Sequence, residues 1–208
     1  MMKTKAWTIL GAGNFVCDII DAIESRSQRA EFLVLNMALD KKILEKTPRS
    51  IKIIHLNDFS PSTDFYFFGF INPNKNPFLE NLKKFNLPYS NLIHKFSYVA
   101  KTVEMGQGNF IGAGAVVASN VQLGDFNFVN RSASIGHDTE ILHYNHFGPG
   151  CTVAGGCKIG KRNFLGTQSA LINNVKIGDD VTVGAGGIVI KDILESGTYA
   201  GVPARKLK

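Results

Sequence analysis

Residues 135–164 read IGHDTE ILHYNH FGPGCT VAGGCK IGKRNF, five successive hexads that each begin with a large apolar residue. The same step of six continues in both directions, from Ile93 to Val189, and all 17 of its positions carry a large apolar side chain. An amphipathic helix needs a period of 3.6 and a half-buried strand needs a period of 2, so a strict period of six fits neither. It is typical of a parallel β-helix in which each hexad supplies one short strand and one corner of a triangular coil.

The other positions of the hexad support this interpretation. The residue after the apolar position is often glycine, which we expect to take backbone conformations that a β-carbon would oppose. The fourth residue after the apolar position is usually small or Asn, and Cys151 and Cys157 both occupy it, so we interpret them as core residues. Three hexads, or 18 residues, make one coil, and a stack spaced at about 4.8 Å per coil gives a prism roughly 25 Å long.

The motif [LIV]-Gly-x4 stands at Ile111-Gly112, Ile135-Gly136, Ile159-Gly160 and Ile177-Gly178. Over residues 93–195 the chain therefore resembles the hexapeptide-repeat acyltransferases. The resemblance implies a left-handed parallel β-helix, acetyl-CoA as co-substrate and association as a homotrimer with each site between two subunits.

The first ninety residues follow a different pattern. Ala6–Leu10 is predicted to be a buried strand, Gly11 and Gly13 a turn, and residues 15–25 a helix, the opening of a βαβ unit that binds phosphate at a helix N-terminus. The third glycine of the dinucleotide fingerprint is replaced by Val16, which argues against an NAD site. Further strands are predicted at residues 31–35, 51–56 and 65–70, and a short helix at residues 77–85. We therefore predict a small Rossmann-like α/β domain over residues 1–90 and an all-β domain, the β-helix with a C-terminal tail, over residues 91–208.

This combination of domains resembles one branch of the family, the nucleotide-linked amino-sugar N-acetyltransferases of bacterial-type surface glycan biosynthesis and the related sialic acid O-acetyltransferases. The resemblance implies that the first domain binds the nucleotide-linked sugar and the β-helix binds acetyl-CoA. The substrate-binding residues that it implies are Gly13, Asn14, Phe15, Asn36, Gly69 and Asn130. The implied coenzyme-binding residues are His146, Thr167, Ala185 and Gly186.

His137 is the strongest candidate for chemistry. It comes two residues after the inward-facing Ile135, so its side chain should point outward, where a histidine has no packing role. Transfer of an acetyl group to an amine requires a general base, and imidazole suits this task. Asp138 could fix the tautomer of His137, although adjacent strand residues face opposite ways, so the contact needs the corner or a neighbouring subunit. The resemblance implies that His137 is the base, Asp138 its partner, and the backbone N–H of Gly155, one coil on, a donor to the thioester oxyanion.

Composition narrows the class of protein. The 208 residues are 44% hydrophobic and 19% charged, and the net charge of +6 comes from scattered lysines and arginines rather than a run that would bind nucleic acid. No apolar run is long enough for a membrane-inserted helix, and three cysteines at no metal-ligand spacing indicate a reduced, cytoplasmic protein without a bound metal.

Three alternatives stay open from the sequence. The same base could serve O-acetylation of a sialic acid-like sugar. The β-helix could be a non-catalytic binding module, although an outward His–Asp pair with a glycine one coil on has no role there. His137, His143 and His146 could also suggest a zinc hydratase of the same fold, but their spacing does not match that class.

Overall fold

The computed structural model describes residues 6–11, 15–35, 45, 48, 50–69 and 82–207. The chain divides into two compact units, Met1–Lys95 and Phe96–Lys208. Among the described helices, none is long and apolar enough to cross a membrane.

The first unit contains a four-stranded parallel sheet with the strand order β3-β2-β1-β4. Its elements are β1 Ala6–Leu10, helix α1 Val16–Glu24, β2 Arg29–Leu35, β3 Lys52–His55, a 3-10 turn at Leu56–Asp58, β4 Phe65–Phe68, a 3-10 turn at Lys83–Phe85 and β5 Leu92–Ile93. Helix α1 buries one apolar stripe, Val16, Ile19, Ile20 and Ile23, and it joins two neighbouring parallel strands. The predicted strands and first helix are therefore present. Most of the predicted helix at 77–85 lies outside the described residues, and its described end is the second 3-10 turn.

The second unit is a parallel β-helix, as the period of six predicts. Each strand pairs in parallel with the strand 18 residues further on, for example Ile135 with Val153. The handedness of the coil stays a prediction. Its strands form three faces, which we number in chain order. Face I contains β6 Tyr98–Val99, β9 Val116–Val117, β12 Ser134–Ile135, β15 Thr152–Val153, β18 Ala170–Leu171 and β21 Ile188–Val189. Face II contains β7 Glu104–Met105, β10 Gln122–Leu123, β13 Glu140–Ile141, β16 Lys158–Ile159 and β19 Lys176–Ile177. Face III contains β8 Phe110–Ile111, β11 Phe128–Val129, β14 His146–Phe147, β17 Phe164–Leu165, β20 Val181–Val183, β22 Gly197–Ala200 and β23 Arg205–Lys206.

The corners joining these faces recur with the same period. We call the corner between faces I and II corner A, that between faces II and III corner B, and that between faces III and I corner C. From Gly108 to Gly186, every sixth residue lies at a corner with a positive φ of 54° to 72°, and most of these residues are not glycine. Asn, Asp and Gly tolerate this conformation best, which explains their frequency at the corners.

The glycines that follow the inward-facing apolar residues do not have this conformation, so our prediction for them was wrong. They are required because successive coils approach closely. A β-carbon on Gly136 would lie 2.5 Å from the backbone nitrogen of Gly155, and one on Gly166 would lie 2.7 Å from that of Ala185. The glycines therefore mark the contact between coils, and the turn itself falls two residues later.

Every inward-facing position from Ile111 to Val189 is buried. Cys151 and Cys157 are also fully buried, as their corner position predicts. Burial raises the pKa of the Cys151 thiol to about 11 and also raises that of Cys157. Neither thiol is therefore available as a nucleophile near neutral pH.

A ladder of buried asparagines stabilises corner B. Each side-chain oxygen accepts a hydrogen bond from the backbone amide one coil on: Asn109 from Asn127 at 2.8 Å, Asn127 from Asn145 at 2.9 Å, Asn145 from Asn163 at 3.0 Å, and Asn163 from Val181 at 2.7 Å. The amide nitrogen of Asn145 also donates to the Gly160 carbonyl at 2.8 Å. The side chains thus satisfy corner backbone groups that no strand partner can reach.

Replacing Asn145 by alanine should lower the free energy of unfolding by about 3 kcal/mol, because it leaves two buried backbone groups without partners. The measurement is urea unfolding at a fixed protein concentration. The control is Asn173→Ala, at an exposed asparagine of corner A. Equal losses in the two variants would mean that the ladder has no special role.

Candidate active site

His137 and Asp138 lie at corner A, where the chain passes from β12 to β13. The His137 side chain points outward and is 63% exposed, as the register of Ile135 predicts. Its Nδ1 lies 2.7 Å from Oδ2 of Asp138. Asp138 has a φ of +56°, and this turn brings two adjacent side chains together that a strand would direct to opposite sides. The contact is therefore made within one chain.

The hydrogen bonds of Asp138 fix its charge. Asn120 donates to Oδ1 at 2.9 Å, and this bond, followed by the bond with His137, lowers the pKa of the Asp138 carboxyl below its usual value. An ionised carboxylate only accepts hydrogen bonds, so Nδ1 of His137 is the donor in their contact. Neutral His137 then carries its proton on Nδ1, and Nε2 holds the free lone pair that a base requires.

Gly155 lies directly under the His137 ring. A β-carbon at this position would be 2.7 Å from Nε2, so only glycine leaves room for the ring as it is placed. Among the described residues, the Gly155 amide finds no hydrogen-bond acceptor. The equivalent amides of corner B are different, because side chains one coil on accept from them: Asp125 from Gln107, His143 from Asp125, and Asp179 from Lys161. Corner A thus combines a histidine lone pair with an available backbone donor.

His143 lies at the corresponding position of corner B, and its hydrogen bonds give it the opposite tautomer. The Asp125 amide donates to Nδ1 of His143 at 2.9 Å. Neutral His143 must then carry its proton on Nε2, since Nδ1 is already an acceptor. No ring nitrogen of His143 is left with a free lone pair, so this residue is unsuited to act as the base.

His146 is buried on face III, with 7% of its surface exposed. Its ring packs edge-on between Phe128, at 5.3 Å, and Phe164, at 4.9 Å. Burial lowers the pKa of His146 to about 4, so the ring is neutral near pH 7. Its Nε2 is buried and has no hydrogen-bond partner among the described residues. His146 is therefore a polar group awaiting an acceptor or donor rather than a competing base.

The lowered pKa of His146 predicts how stability depends on pH. The unfolded chain takes up a proton on this histidine near pH 6.5, but the folded chain does so only near pH 4. Stability is therefore complete above pH 6.5 and falls between pH 6.5 and 4, by about 3 kcal/mol from this residue. His146→Phe should remove that part of the pH dependence, whereas Phe128→Leu, a packing change on the same face, should keep it. Unfolding curves from pH 4 to 7 test this, and an unchanged slope in His146→Phe would contradict it.

The coenzyme-binding residues predicted from the resemblance lie elsewhere on the β-helix. Thr167, Ala185 and Gly186 are exposed at corner C, with Gly186 N–H donating to the Thr167 carbonyl at 2.9 Å. Asn130 is also at corner C, where its buried side chain accepts from the Arg131 amide at 2.7 Å. Within one chain, face I separates these residues from His137 at corner A. A single chain therefore does not bring the predicted base and coenzyme residues together.

The predicted nucleotide-binding residues of the first unit are only partly described. Gly13, Asn14 and Asn36 lie outside the described residues. Gly69 follows β4, its amide donates to the Leu10 carbonyl at 2.8 Å, and a β-carbon there would lie 2.0 Å from the Gly11 oxygen. Phe15 precedes helix α1 and is half-buried. Gly69 and Gly11 thus meet at the carboxyl ends of adjacent parallel strands, where open α/β sheets bind ligands.

Sequence reasoning missed Asn120. Its signal was present, since Asn120 precedes Asp138 by one coil of 18 residues and must lie beside it in a β-helix. Within the described part of the chain, no three histidine, cysteine or acidic side chains are grouped as metal ligands, so the zinc hydratase alternative gains no ligand set from one chain.

The fold was compared with known proteins. No protein-family model matches the chain. No curated protein matches its sequence. Among solved structures, the acetyltransferase domain of PglB from Neisseria gonorrhoeae, in complex with acetyl coenzyme A, is 25% identical, with a TM-score of 0.86 over 99% of this chain and 100% of that chain. PerB from Caulobacter crescentus, in complex with CoA and GDP-perosamine, is 24% identical, with a TM-score of 0.83 over 100% and 99% of the two chains.

WeeI from Acinetobacter baumannii is 19% identical, with a TM-score of 0.74 over 99% of this chain and 100% of that chain. The predicted resemblance to β-helix sugar acetyltransferases is confirmed, because structures of this class match the chain over nearly its whole length.

Proposed function

We propose that this protein is an acetyl-CoA-dependent N-acetyltransferase that acts on the amino group of a nucleotide-linked amino-deoxysugar, in surface glycan biosynthesis. The observation that carries the proposal is the outward His137–Asp138 pair over Gly155. It lies on a fold shared with an acetyltransferase domain bound to acetyl coenzyme A. PerB, which has the same fold, binds CoA and GDP-perosamine, and GDP-perosamine N-acetyltransferase is the activity named for the protein from Caulobacter crescentus.

The proposed reaction is direct transfer. The lone pair of the sugar amine attacks the thioester carbonyl, and the Gly155 N–H donates to the oxygen as it gains negative charge. Nε2 of His137 accepts the proton that the amine loses. The C–S bond then breaks, the imidazolium returns this proton to the departing sulfur, and the products are the N-acetylated sugar and free CoA. No acyl-enzyme forms, and both ring nitrogens end in their starting states.

We propose that His146, Thr167, Ala185 and Gly186 bind acetyl-CoA. The unpartnered Nε2 of His146 supports this role, since the coenzyme offers several carbonyl oxygens. Asn130, also at corner C, belongs to the proposed sugar-binding set. The exposed small residues of corner C leave its backbone open to a narrow ligand such as the pantetheine arm.

A homotrimer would bring the two corners together, with corner A of one copy beside corner C of the next. The outward side chains of face I support such packing because none carries a charge: Tyr98, Val116, Ser134, Thr152, Ala170 and Ile188. Those of face II are exposed and almost all charged: Glu104, Gln122, Glu140, Lys158 and Lys176. We therefore propose that face I is the subunit interface and that each active site uses two chains.

The first domain is proposed to be Rossmann-like, over residues 1–90, and to bind the nucleotide. The parallel strand order β3-β2-β1-β4, with α1 between β1 and β2, supports this assignment. Gly13, Asn14, Phe15, Asn36 and Gly69 are its proposed contacts. The cytoplasm is the proposed location, and the free thiols of Cys17, Cys151 and Cys157 are consistent with a reducing compartment.

A thiol-release assay tests the proposed function. Acetyl-CoA is offered with GDP-perosamine, with other nucleotide-linked amino sugars, and with sialic acid-like sugars that carry only hydroxyl acceptors. Thiol release that requires an amino sugar supports the proposal, whereas release only with hydroxyl sugars favours O-acetylation. Absence of turnover with every acceptor would favour a non-catalytic binding module.

A further inference from the structure

Asn120 holds the oxygen of Asp138 that His137 does not use. Its side-chain amide donates to Oδ1 at 2.9 Å, while Oδ2 contacts Nδ1 of His137 at 2.7 Å. Both carboxylate oxygens therefore have a partner, one from the preceding coil and one from the adjacent residue. The Asp138 amide also donates to the Ser119 carbonyl at 3.0 Å, which places the Asp138 backbone against the same preceding coil.

Asn120 is itself fixed in place. Its backbone amide donates to Oγ1 of Thr102 at 2.9 Å, one further coil back. Its φ of +60° is the left-handed turn conformation shared by every corner, so the side chain leaves the backbone at the same angle as that of Asp138. A chain of hydrogen bonds thus runs through three coils of corner A, from Thr102 through Asn120 to Asp138 and then to His137.

The second anchor matters because Asp138 is on an exposed turn, with 57% of its side chain accessible. A carboxylate held by one hydrogen bond can rotate about its terminal torsion, whose energy profile is broad. Asn120 removes that freedom, and its donor also favours the ionised form of the carboxyl. Both effects keep the proton of neutral His137 on Nδ1.

We propose that Asn120 is a positioning residue for the transfer reaction, acting through Asp138 to hold His137 with Nε2 unprotonated above Gly155. This inference rests on the proposed function for its catalytic meaning, but the arrangement itself can be tested without turnover. Among the described residues, His137 is the one charged group that acts on Asp138, so a change in the carboxyl reports directly on Asn120 and His137.

Asn174 offers a matched control. It occupies the same turn position of corner A three coils after Asn120, with a φ of +61°. Its side chain approaches Gly156 one coil back, where there is no carboxylate to hold. Glycine accepts a positive φ without strain, so Asn120→Gly and Asn174→Gly remove equivalent side chains while keeping the turn.

The first measurement is steady-state kinetics with saturating acetyl-CoA and the amino sugar that gives turnover. Asn120→Gly should lower kcat about tenfold, with KM for either substrate changed by less than about twofold, since the residue touches neither substrate. Asn174→Gly should keep kcat within about twofold of the wild type. Asn120→Asp, which keeps the shape but loses the donor and adds a like charge, should lower kcat at least as far as Asn120→Gly. Equal kcat in Asn120→Gly and the wild type would overturn the inference.

The second measurement is NMR of the folded protein without substrates. The Asp138 carboxyl carbon should titrate at a higher pH in Asn120→Gly than in the wild type, because the lost donor had lowered the Asp138 pKa. The ring nitrogens of His137 should show a mixture of tautomers in that variant, and Asn174→Gly should match the wild type in both signals. Unchanged Asp138 and His137 signals in Asn120→Gly would overturn the inference even if kcat fell. A wild type inactive with every amino sugar would overturn the proposed function instead, and the NMR result would still decide the role of Asn120.

Discussion

Replacing His137 by asparagine should lower kcat about a thousandfold, because the variant has no group at corner A that can accept the proton of the attacking amine. Asparagine is uncharged and smaller, so the exposed corner should fold as before. KM for acetyl-CoA should change little, since the proposed coenzyme contacts lie at corner C. The measurement is thiol release under saturating substrates, with circular dichroism to verify the fold.

The matched control for this variant is His143→Asn, one hexad further on at corner B. His143 has a neighbouring aspartate as His137 does, but Nδ1 of His143 accepts the Asp125 amide, so the ring offers no free lone pair. We expect its kcat to stay within about twofold of the wild type. A larger loss in His143→Asn than in His137→Asn would assign the base to corner B and contradict the account.

Placing a charge on face I should have the second large effect. Thr152→Arg puts a guanidinium at the centre of a face whose outward side chains are all uncharged. Burying an unpaired charge between subunits costs several kcal/mol, so the proposed trimer should dissociate into monomers. Activity should be lost with it, because one chain keeps the predicted base and coenzyme residues on opposite sides of face I. Light scattering and thiol release measure the two effects on the same sample.

Gln122→Arg is the control for this prediction. It introduces the same side chain on face II, where Glu104 and Glu140 lie one coil away on either side. Assembly and turnover should both be retained. A fully active monomer of Thr152→Arg would show that one chain holds a complete site, which would contradict the two-chain arrangement.

The scaffold could be predicted from the sequence because one period controls the whole second unit. A residue such as Ile135 must be inward-facing if Val117 and Val153 are, since a slip of one residue would turn every side chain of a coil to the opposite side. The same register directed His137 outward. The role of the glycines could not be predicted in this way, because the spacing between Gly136 and Gly155 depends on how closely two coils stack.

The site was less accessible to sequence reasoning. A hydrogen bond between adjacent residues, His137 and Asp138, depends on the left-handed turn, which an aspartate adopts only because the corner imposes it. The burial of His146 depends on its place between Phe128 and Phe164, each 18 residues away. The separation of corners A and C could have been read from the hexad count, since Thr167 and His137 are five hexads apart and therefore cannot share a corner.

The central claim is that this chain transfers acetyl directly from acetyl-CoA to the amine of a nucleotide-linked sugar. The most direct measurement follows the label from acetyl-CoA carrying a 13C-acetyl group, with mass spectrometry of both the sugar and the intact protein during turnover. The account predicts one labelled acetyl on the sugar nitrogen for each thiol released, and an unmodified protein throughout. A labelled protein during turnover, or thiol release without an N-acetylated sugar, would contradict it.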